Sequence, residues 1–203
     1  MKGSGQYFFD YPNNKIYWFD DPVGRTIEAV TSRVAIHDPK ATPVNNVTIK
    51  QMTVTKYGST GQHGAIGGSK PGQYWHVDYV KATHNHGTGI FQGDGSTTTN
   101  SIADFNGFSG FKIRSDVGDA KVDSADHYYN TKLAYPILFK DNSMSYNHWQ
   151  QYACGWEGGG VKLAFTVNAQ IINNVAHKNA CKGLWSSEFC IVFLLCRVCT
   201  VFM

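Results

Sequence analysis

The residues best suited to acid–base chemistry lie in one short stretch, Trp156-Glu157-Gly-Gly-Gly160-Val-Lys162. A carboxyl group beside an indole can hold an elevated pKa and donate a proton, and the indole offers a flat apolar face to a ligand ring. The glycines allow a ligand to approach the backbone closely. We predict Glu157 and Lys162 as catalytic residues and Trp156 as a binding residue. The alternative is a Glu–Lys pair that only closes the end of a strand.

A second group of polar residues lies upstream. His84 and His86 are separated by one residue, so in an extended segment the two imidazoles cannot both face one groove. Asp104 occupies the position of Thr83 in the next copy of a repeated pattern, which predicts that it stacks near the histidines. Arg114 ends the same copy and could pair bidentately with a carboxylate. We predict that His84, His86, Asp104 and Arg114 bind substrate, although His86 also fits a solvated turn.

The spacing of the aspartate and cysteine residues does not indicate a metal site. The four aspartates Asp116, Asp119, Asp123 and Asp126 could recruit Ca²⁺, but they match no compact calcium loop and predict a solvated insertion. Cys196-Arg-Val-Cys199 lacks the second pair or histidine of a zinc site. The sequence therefore predicts no metal and no cofactor.

The cysteine count is odd. Two cysteines, Cys154 and Cys181, lie in the repeats, and the other three lie near the end, at Cys190, Cys196 and Cys199. An odd number with this clustering predicts no disulfide framework.

These residues must be positioned by elements that recur along the chain. Asn85, Asn106 and Asn179 each follow a small residue by three positions and precede a Gly–apolar pair by four; Asn147 is a weaker copy without the Gly. A period of about 20–25 residues is typical of repeats whose single copy cannot bury its own apolar face. Stacked about 4.8 Å apart, equivalent Asn side chains can hydrogen-bond as a ladder. The Gly permits a bend before the next apolar residue.

The composition favours strands over helices. The 203 residues can form a sizeable core, and β-branched and aromatic residues dominate with no sustained 3.6-residue apolar period. The net charge of +3 comes from scattered Lys and Arg without a basic run, which argues against a nucleic-acid partner. The first residues lack the apolar stretch of a signal peptide.

The two ends of the chain differ from the repeats. Near the start, two aromatic runs flank a polar turn and predict a β-hairpin over Tyr7–Phe19. Near the end, residues 187–203 contain neither Asn nor Gly, and their apolar run is too short for a membrane span of about 20 residues. We predict that this tail adds no further copy of the repeat, packs poorly and binds no membrane.

Several motifs together resemble a known family. Asn46-Val-Thr-Ile-Lys50, Asn85-His-Gly-Thr-Gly-Ile90, Trp156-Glu-Gly-Gly-Gly-Val-Lys162 and Asn173-Asn-Val-Ala-His-Lys-Asn179 are similar to segments of secreted bacterial right-handed parallel β-helix proteins of the pectin-lyase-like superfamily. The resemblance covers about Tyr7 to Trp185. Members usually have a longer N-terminal part and more coils, so the resemblance also implies that this chain is a fragment.

The resemblance implies a specific organisation. We expect an all-β fold, a right-handed parallel β-helix (solenoid) with an N-terminal β-hairpin; an α/β fold is the alternative. The expected parts are a hairpin segment over 1–36, the β-helix over 37–185 and an apolar, Cys-rich tail over 186–203.

The resemblance also implies a function. We expect a secreted, monomeric, carbohydrate-active protein that binds a polysaccharide and cleaves it as a glycoside hydrolase or a polysaccharide lyase. The alternative is a non-catalytic structural or adhesin-like module, because a fold alone does not determine a reaction.

Overall fold

The computed structural model describes residues 3–10, 12–37, 44–115, 135–166, 168–187 and 192–195. It divides into two compact units, Met1–Val30 and Thr31–Met203. The four aspartates of the predicted insertion and the three C-terminal cysteines lie outside the described residues.

The first unit contains a hairpin at the predicted place. Strand β1 (Tyr7–Asp10) pairs antiparallel with β2 (Lys15–Trp18). The turn is held by the Asp10 carboxylate, which accepts hydrogen bonds from the backbone and side-chain nitrogens of Asn13. Asn14 has a φ of 51°, a conformation that asparagine tolerates better than most residues.

Within the described residues, the second unit contains strands and one 3₁₀ turn, Cys154–Trp156. The strands, in chain order, are β3 (Thr48–Thr55), β4 (Gly64–Ile66), β5 (His76–Thr83), β6 (Thr88–Gln92), β7 (Thr97–Thr99), β8 (Ile102–Asp104), β9 (Ser109–Arg114), β10 (Ile137–Lys140), β11 (Ser143–Ser145), β12 (Gly159–Ala164), β13 (Ala169–Ile172), β14 (Val175–His177), β15 (Lys182–Ser187) and β16 (Val192–Leu195).

These strands form two parallel sheets. The five-stranded sheet has the order β15-β12-β9-β6-β4. The nine-stranded sheet has the order β14-β11-β8-β5-β7-β10-β13-β16, with β3 paired on β5. The described strands do not close into a solenoid, so the prediction of a right-handed parallel β-helix is wrong.

The reason lies in what a repeat encodes. Equivalent residues of successive copies pair in register, for example Ile90 with Phe111 and Phe111 with Val161. That pairing follows from the periodic sequence, because identical patterns align their strands side by side. The periodicity does not specify how the strands within one copy join around the core. Between β6 and β7, residues 93–96 belong to neither sheet.

An asparagine ladder joins successive copies. The Asn85 side-chain and backbone nitrogens donate to Asn106 Oδ1 at 3.0 and 3.2 Å, and Asn106 donates in the same way to Asn147 at 3.1 and 2.9 Å. Asn147 continues the ladder to Asn179 at 3.0 Å for both bonds. The predicted ladder is therefore present, and it includes the copy that lacks the glycine.

The ladder also explains the glycine of the repeat. A Cβ at Gly89 would lie 2.9 Å from the Asn106 amide nitrogen, and one at Gly110 would lie 2.9 Å from that of Asn147. Neither glycine has a positive φ. A backbone carbonyl oxygen of the next copy lies still closer to each Cβ position, at 2.8 Å. The glycines are therefore needed because backbone and asparagine side chains approach them closely, and both lie within a strand instead of at a bend as predicted.

The core is one cluster of apolar side chains from both sheets. In several strands alternate residues contribute to it, as in β9, where Phe111 and Ile113 belong to the cluster. The Phe111 ring meets that of Phe139 edge-on at 4.9 Å and so links the two sheets. This packing fixes which face of the five-stranded sheet remains for the other side chains.

Part of the tail extends the nine-stranded sheet. Val192–Leu195 pairs in parallel with Ala169–Ile172, so these four residues add a strand to the sheet. The prediction that the tail adds no further copy of the repeat stays a prediction. Strand pairing uses only backbone groups, and the open edge of β13 offers them without any Asn or Gly in the incoming segment. The remaining residues of 188–203 lie outside the described part.

A disulfide joins Cys154 to Cys181, with Cα atoms 5.5 Å apart. The prediction of no disulfide framework is therefore wrong for this pair. The sequence argument failed because it judged all five cysteines together. The three clustered near the C-terminus made the count odd, although the other two form a pair. Closing a loop with a sequence separation of 27 residues stabilises the fold by about 3.5 kcal/mol through the unfolded state.

No helix within the described residues is both long and apolar enough to cross a membrane.

Candidate functional site

Two lysines occupy equivalent positions on neighbouring strands of the five-stranded sheet. Lys112 of β9 pairs in register with Lys162 of β12. Their neighbours Phe111 and Ile113 lie in the core, so strand alternation places the lysines on the opposite face. Both side chains are almost fully covered, with exposed fractions of 4% and 2%. Two ammonium groups in this position require a compensating charge.

Glu157 supplies that charge from the 3₁₀ turn. Its carboxylate lies 3.1 Å from Lys112 Nζ and 3.7 Å from Lys162 Nζ. The Gln62 amide donates a further hydrogen bond to it at 3.1 Å. The Glu157 backbone is left-handed, with a φ of 68°, which turns the chain from the 3₁₀ turn toward β12. One carboxylate is therefore shared by two ammonium groups.

The glycines after Glu157 serve packing. A Cβ at Gly158 would overlap the imidazole of His148, and a Cβ at Gly159 would overlap the Lys182 carbonyl. Gly159 also has a φ of 140°, which a residue with a side chain rarely adopts. The predicted role of these glycines in ligand approach therefore has a simpler explanation, since neither position has room for a side chain.

The Lys112 ammonium in this cluster loses its proton more readily than an ordinary lysine. Burial lowers the pKa of the Lys112 ammonium, and the attraction of Glu157 opposes that shift only in part. The pKa of His63 is also lowered, first by burial and then by the positive charge of Lys112. The site thus combines an amine and an imidazole that give up protons more readily than usual.

Aromatic rings flank the lysines along the same register. Lys162 Nζ lies 4.1 Å from the centre of the Trp185 ring, and Lys112 Nζ lies 5.3 Å from that of Phe91. Such contacts stabilise ammonium groups that have lost water. Trp156, next to Glu157, packs edge-on against Phe108 at 5.3 Å and remains 49% exposed. A partly exposed indole therefore adjoins the charged cluster.

A second surface feature lies at the bend after β5, β8 and β11. His84, Phe105 and Tyr146 each precede a ladder asparagine and have φ values of 55–56°. Their rings stack outside the ladder, with centres 5.1 Å apart for His84–Phe105 and 4.8 Å apart for Phe105–Tyr146. We call this row the aromatic stack. Phe105 and Tyr146 are 40% and 41% exposed, which is unusual for side chains that pack so regularly.

The predicted binding residues fall in different places. Asp104 pairs in register with Thr83, as predicted, and lies beside the aromatic stack. His86 is exposed, with Nδ1 3.0 Å from the Ser59 carbonyl oxygen. Arg114 belongs to the five-stranded sheet, with its guanidinium 5.3 Å from the Phe165 ring. The structure therefore joins Glu157 with Lys162 by an ion pair, and His84 with Asp104 by a backbone hydrogen bond of 3.4 Å. Lys162 belongs to the five-stranded sheet and Asp104 to the nine-stranded sheet.

The sequence analysis did not pair Lys112 with Lys162, although a signal for that pairing was available. Gly110-Phe-Lys112 and Gly160-Val-Lys162 share the Gly-x-Lys pattern, so aligning the copies on their glycines would have paired the two lysines. The aromatic stack had a similar signal in the residue before each ladder asparagine. Gln62 and His63 come from a distant loop and had none.

Asp104 gives a testable pH dependence. Burial raises the pKa of its carboxyl group, and the hydrogen bond from the Ser145 backbone, at 2.6 Å, opposes the shift only in part. A carboxyl whose pKa is higher in the folded state stabilises the fold below its unfolded pKa, and this contribution is lost as pH rises through the folded pKa.

We therefore expect Asp104→Asn to increase the free energy of unfolding at neutral pH. The amide oxygen can still accept from Ser145, and no charge is buried. The gain should disappear in acid, where the native Asp104 is protonated. Urea denaturation of both proteins across this pH range would measure it. A gain of equal size at every pH would contradict the titration of Asp104 as its cause.

Comparison with protein-family models, curated proteins and solved structures returns no match, so the family resemblance stays a prediction and function must be inferred from the site itself.

Proposed function

We propose that the chain is a carbohydrate-active protein that binds an acidic polysaccharide and cleaves it at the Lys112–Glu157–Lys162 cluster. The observation that carries this proposal is the sharing of one carboxylate by two ammonium groups beside the exposed indole of Trp156. The two ammonium groups attract a uronate carboxylate, and the indole offers a face to a sugar ring. The disulfide favours a secreted protein, because disulfides persist in oxidising compartments.

The same cluster favours elimination over hydrolysis. Hydrolysis of a glycoside uses two carboxyl groups across the scissile bond, whereas the groups bound to Glu157 here are two ammonium groups and an amide. Elimination needs a base for the proton α to the uronate carboxylate and a cation on that carboxylate. Lys112, whose lowered pKa eases loss of its proton, suits the base in its neutral amine form, which takes the α proton as the C–O bond to the leaving sugar breaks, and Lys162 suits the cation. Glu157 holds both nitrogens in place until the substrate carboxylate replaces it on one of them.

A non-catalytic binding module is the second candidate. The observation that favours it is the burial of both lysine side chains, which leaves their nitrogens reachable only if Glu157 moves. In that case the cluster stabilises the sheet, and a polysaccharide would bind on exposed rings such as those of Trp156 and the aromatic stack.

A panel of acidic and neutral polysaccharides separates the possibilities. We expect an acidic polysaccharide to yield products with the ultraviolet absorbance of an unsaturated uronate. New reducing ends without that absorbance would indicate hydrolysis instead. Binding without cleavage, measured by affinity electrophoresis on the same panel, would favour the module. Neither binding nor cleavage by the folded protein would overturn the proposed function.

A further inference from the structure

A group of potential metal ligands lies next to the charged cluster and has no part in the proposed reaction. One ligand atom from each of His148, Cys154 and Cys181 lies within 4.8 Å of the others. His148 is buried, Cys181 is half-buried and Cys154 is exposed. Two sulfurs and an imidazole are ligands that Zn²⁺ prefers, and in a tetrahedral site such atoms lie about 3.7 Å apart. The group therefore needs only small side-chain movements to surround a zinc ion.

The backbone of two of these residues is fixed by the asparagine ladder. Asn147 bonds to Asn179 through both its nitrogens, and the Ala180 backbone donates to the Asn147 carbonyl at 3.1 Å. His148 directly follows Asn147, and Cys181 directly follows Ala180. These hydrogen bonds therefore hold His148 and Cys181 on neighbouring copies of the repeat. Cys154 is brought to them by the 3₁₀ turn at residues 154–156. A site on such rigid supports loses little entropy when it binds a metal.

We propose that the reduced form of the Cys154–Cys181 pair binds Zn²⁺ together with His148. A dithiol reductant first converts the disulfide to two thiols and is itself oxidised to a disulfide. Zn²⁺ then binds both sulfurs as thiolates, and two protons are released. His148 contributes the lone pair of one neutral ring nitrogen. The exposure of Cys154 gives the reductant access to the disulfide.

The surroundings of His148 indicate which nitrogen binds. Nδ1 lies 3.1 Å from the Phe108 carbonyl oxygen and is covered by Gly158. Nε2 lies 2.7 Å from the Tyr152 carbonyl oxygen, in the loop that leads to Cys154. Histidines that bind metals commonly donate their other ring N–H to a backbone carbonyl. Nδ1–H donating to Phe108 fits that role, so Nε2 binds the metal after its contact with Tyr152 is released.

Disulfide and zinc site exclude each other, because both use the same two sulfurs. The pair is a disulfide under oxidising conditions and a zinc site under reducing conditions. In both states Cys154 remains linked to the chain around Cys181, so the turn that carries Glu157 stays anchored. This inference does not depend on the proposed activity, and its test measures metal binding alone.

The test uses the full chain with Cys190, Cys196 and Cys199 replaced by Ser, which removes the other thiols. The protein is reduced with a dithiol, separated from the reductant without oxygen, and titrated with Zn²⁺ and with Co²⁺. We expect one equivalent of metal and the strong absorbance of thiolate-bound Co²⁺. The oxidised protein, handled identically, should bind none.

Two variants and one spectrum complete the test. In the same background, Cys154→Ser and His148→Gln should each weaken binding by at least about 100-fold, since each removes a direct ligand and even outer-shell changes cost 10- to 100-fold. Because His148 is buried, His148→Gln could unfold the chain. Zinc X-ray absorption on the reduced parent therefore counts the ligands independently, with two sulfurs and one histidine expected. Equal binding by oxidised protein, an absent histidine signal, or no binding by folded reduced protein would overturn the proposal.

Discussion

Replacing Glu157 by Gln is expected to lower turnover on an acidic polysaccharide by about 10²–10⁴-fold, because it releases Lys112 from position and so forfeits the usual contribution of the base that it holds. Glutamine keeps the size of the side chain and the left-handed backbone at this position. It cannot balance the charges of Lys112 and Lys162, which both lie within 4 Å of the native carboxylate. The two ammonium groups would then repel each other, and the proposed base would no longer be held in place.

The matched control is Lys182→Gln. Lys182 is an exposed lysine of β15 near the same cluster, with its Nζ 3.4 Å from the centre of the Trp185 ring. The Lys182→Gln variant should keep its turnover within a few-fold of the native value. Both variants must be compared at equal folded fraction by circular dichroism and thermal melting. Native turnover in a stable Glu157→Gln protein would remove Glu157 from the mechanism. A loss explained wholly by unfolding would assign the cluster a structural role.

Replacing Asn106 by Ala is expected to reduce the free energy of unfolding by about 3–5 kcal/mol. Asn106 is fully buried and accepts two hydrogen bonds from Asn85. Its amide nitrogen donates to the Ala82 carbonyl and to Asn147. Removing it leaves several buried groups unpaired, and each costs about 1–3 kcal/mol. The melting temperature should fall by roughly 6–20 °C.

Asn179→Ala is the comparison within the same ladder. Asn179 makes equivalent bonds to Asn147 and to the Met144 carbonyl, but it is only half-buried. Water can replace some of the hydrogen bonds that Asn179→Ala removes, so we expect a smaller loss in the free energy of unfolding than for Asn106→Ala. Urea denaturation of the two variants and the native protein would measure the difference. Equal losses at the two positions would contradict burial as the source of the ladder's contribution.

The sequence alone determined the features that depend on neighbouring copies. The spacing around Asn85, Asn106 and Asn179 predicted both the parallel pairing of copies and the ladder, because equivalent residues of stacked repeats must meet. The pairing of Asp104 with Thr83 followed in the same way. The hairpin was readable because a polar turn between two aromatic runs is a local signal. Glu157 and Lys162 were predicted together, and they are in contact.

Only the tertiary structure decided the features that depend on contacts between different parts of the chain. The closing of each copy was not encoded in the period, and the β-helix prediction failed there. Three such contacts join segments that share no sequence pattern: the Cys154–Cys181 disulfide, the hydrogen bond from Gln62 to Glu157, and the pairing of Val192–Leu195 with β13. Periodicity constrains equivalent positions, whereas such contacts arise when the chain packs. The burial that lowers the pKa of Lys112 also arises only then, because it is set by the covering loops and not by the strand itself.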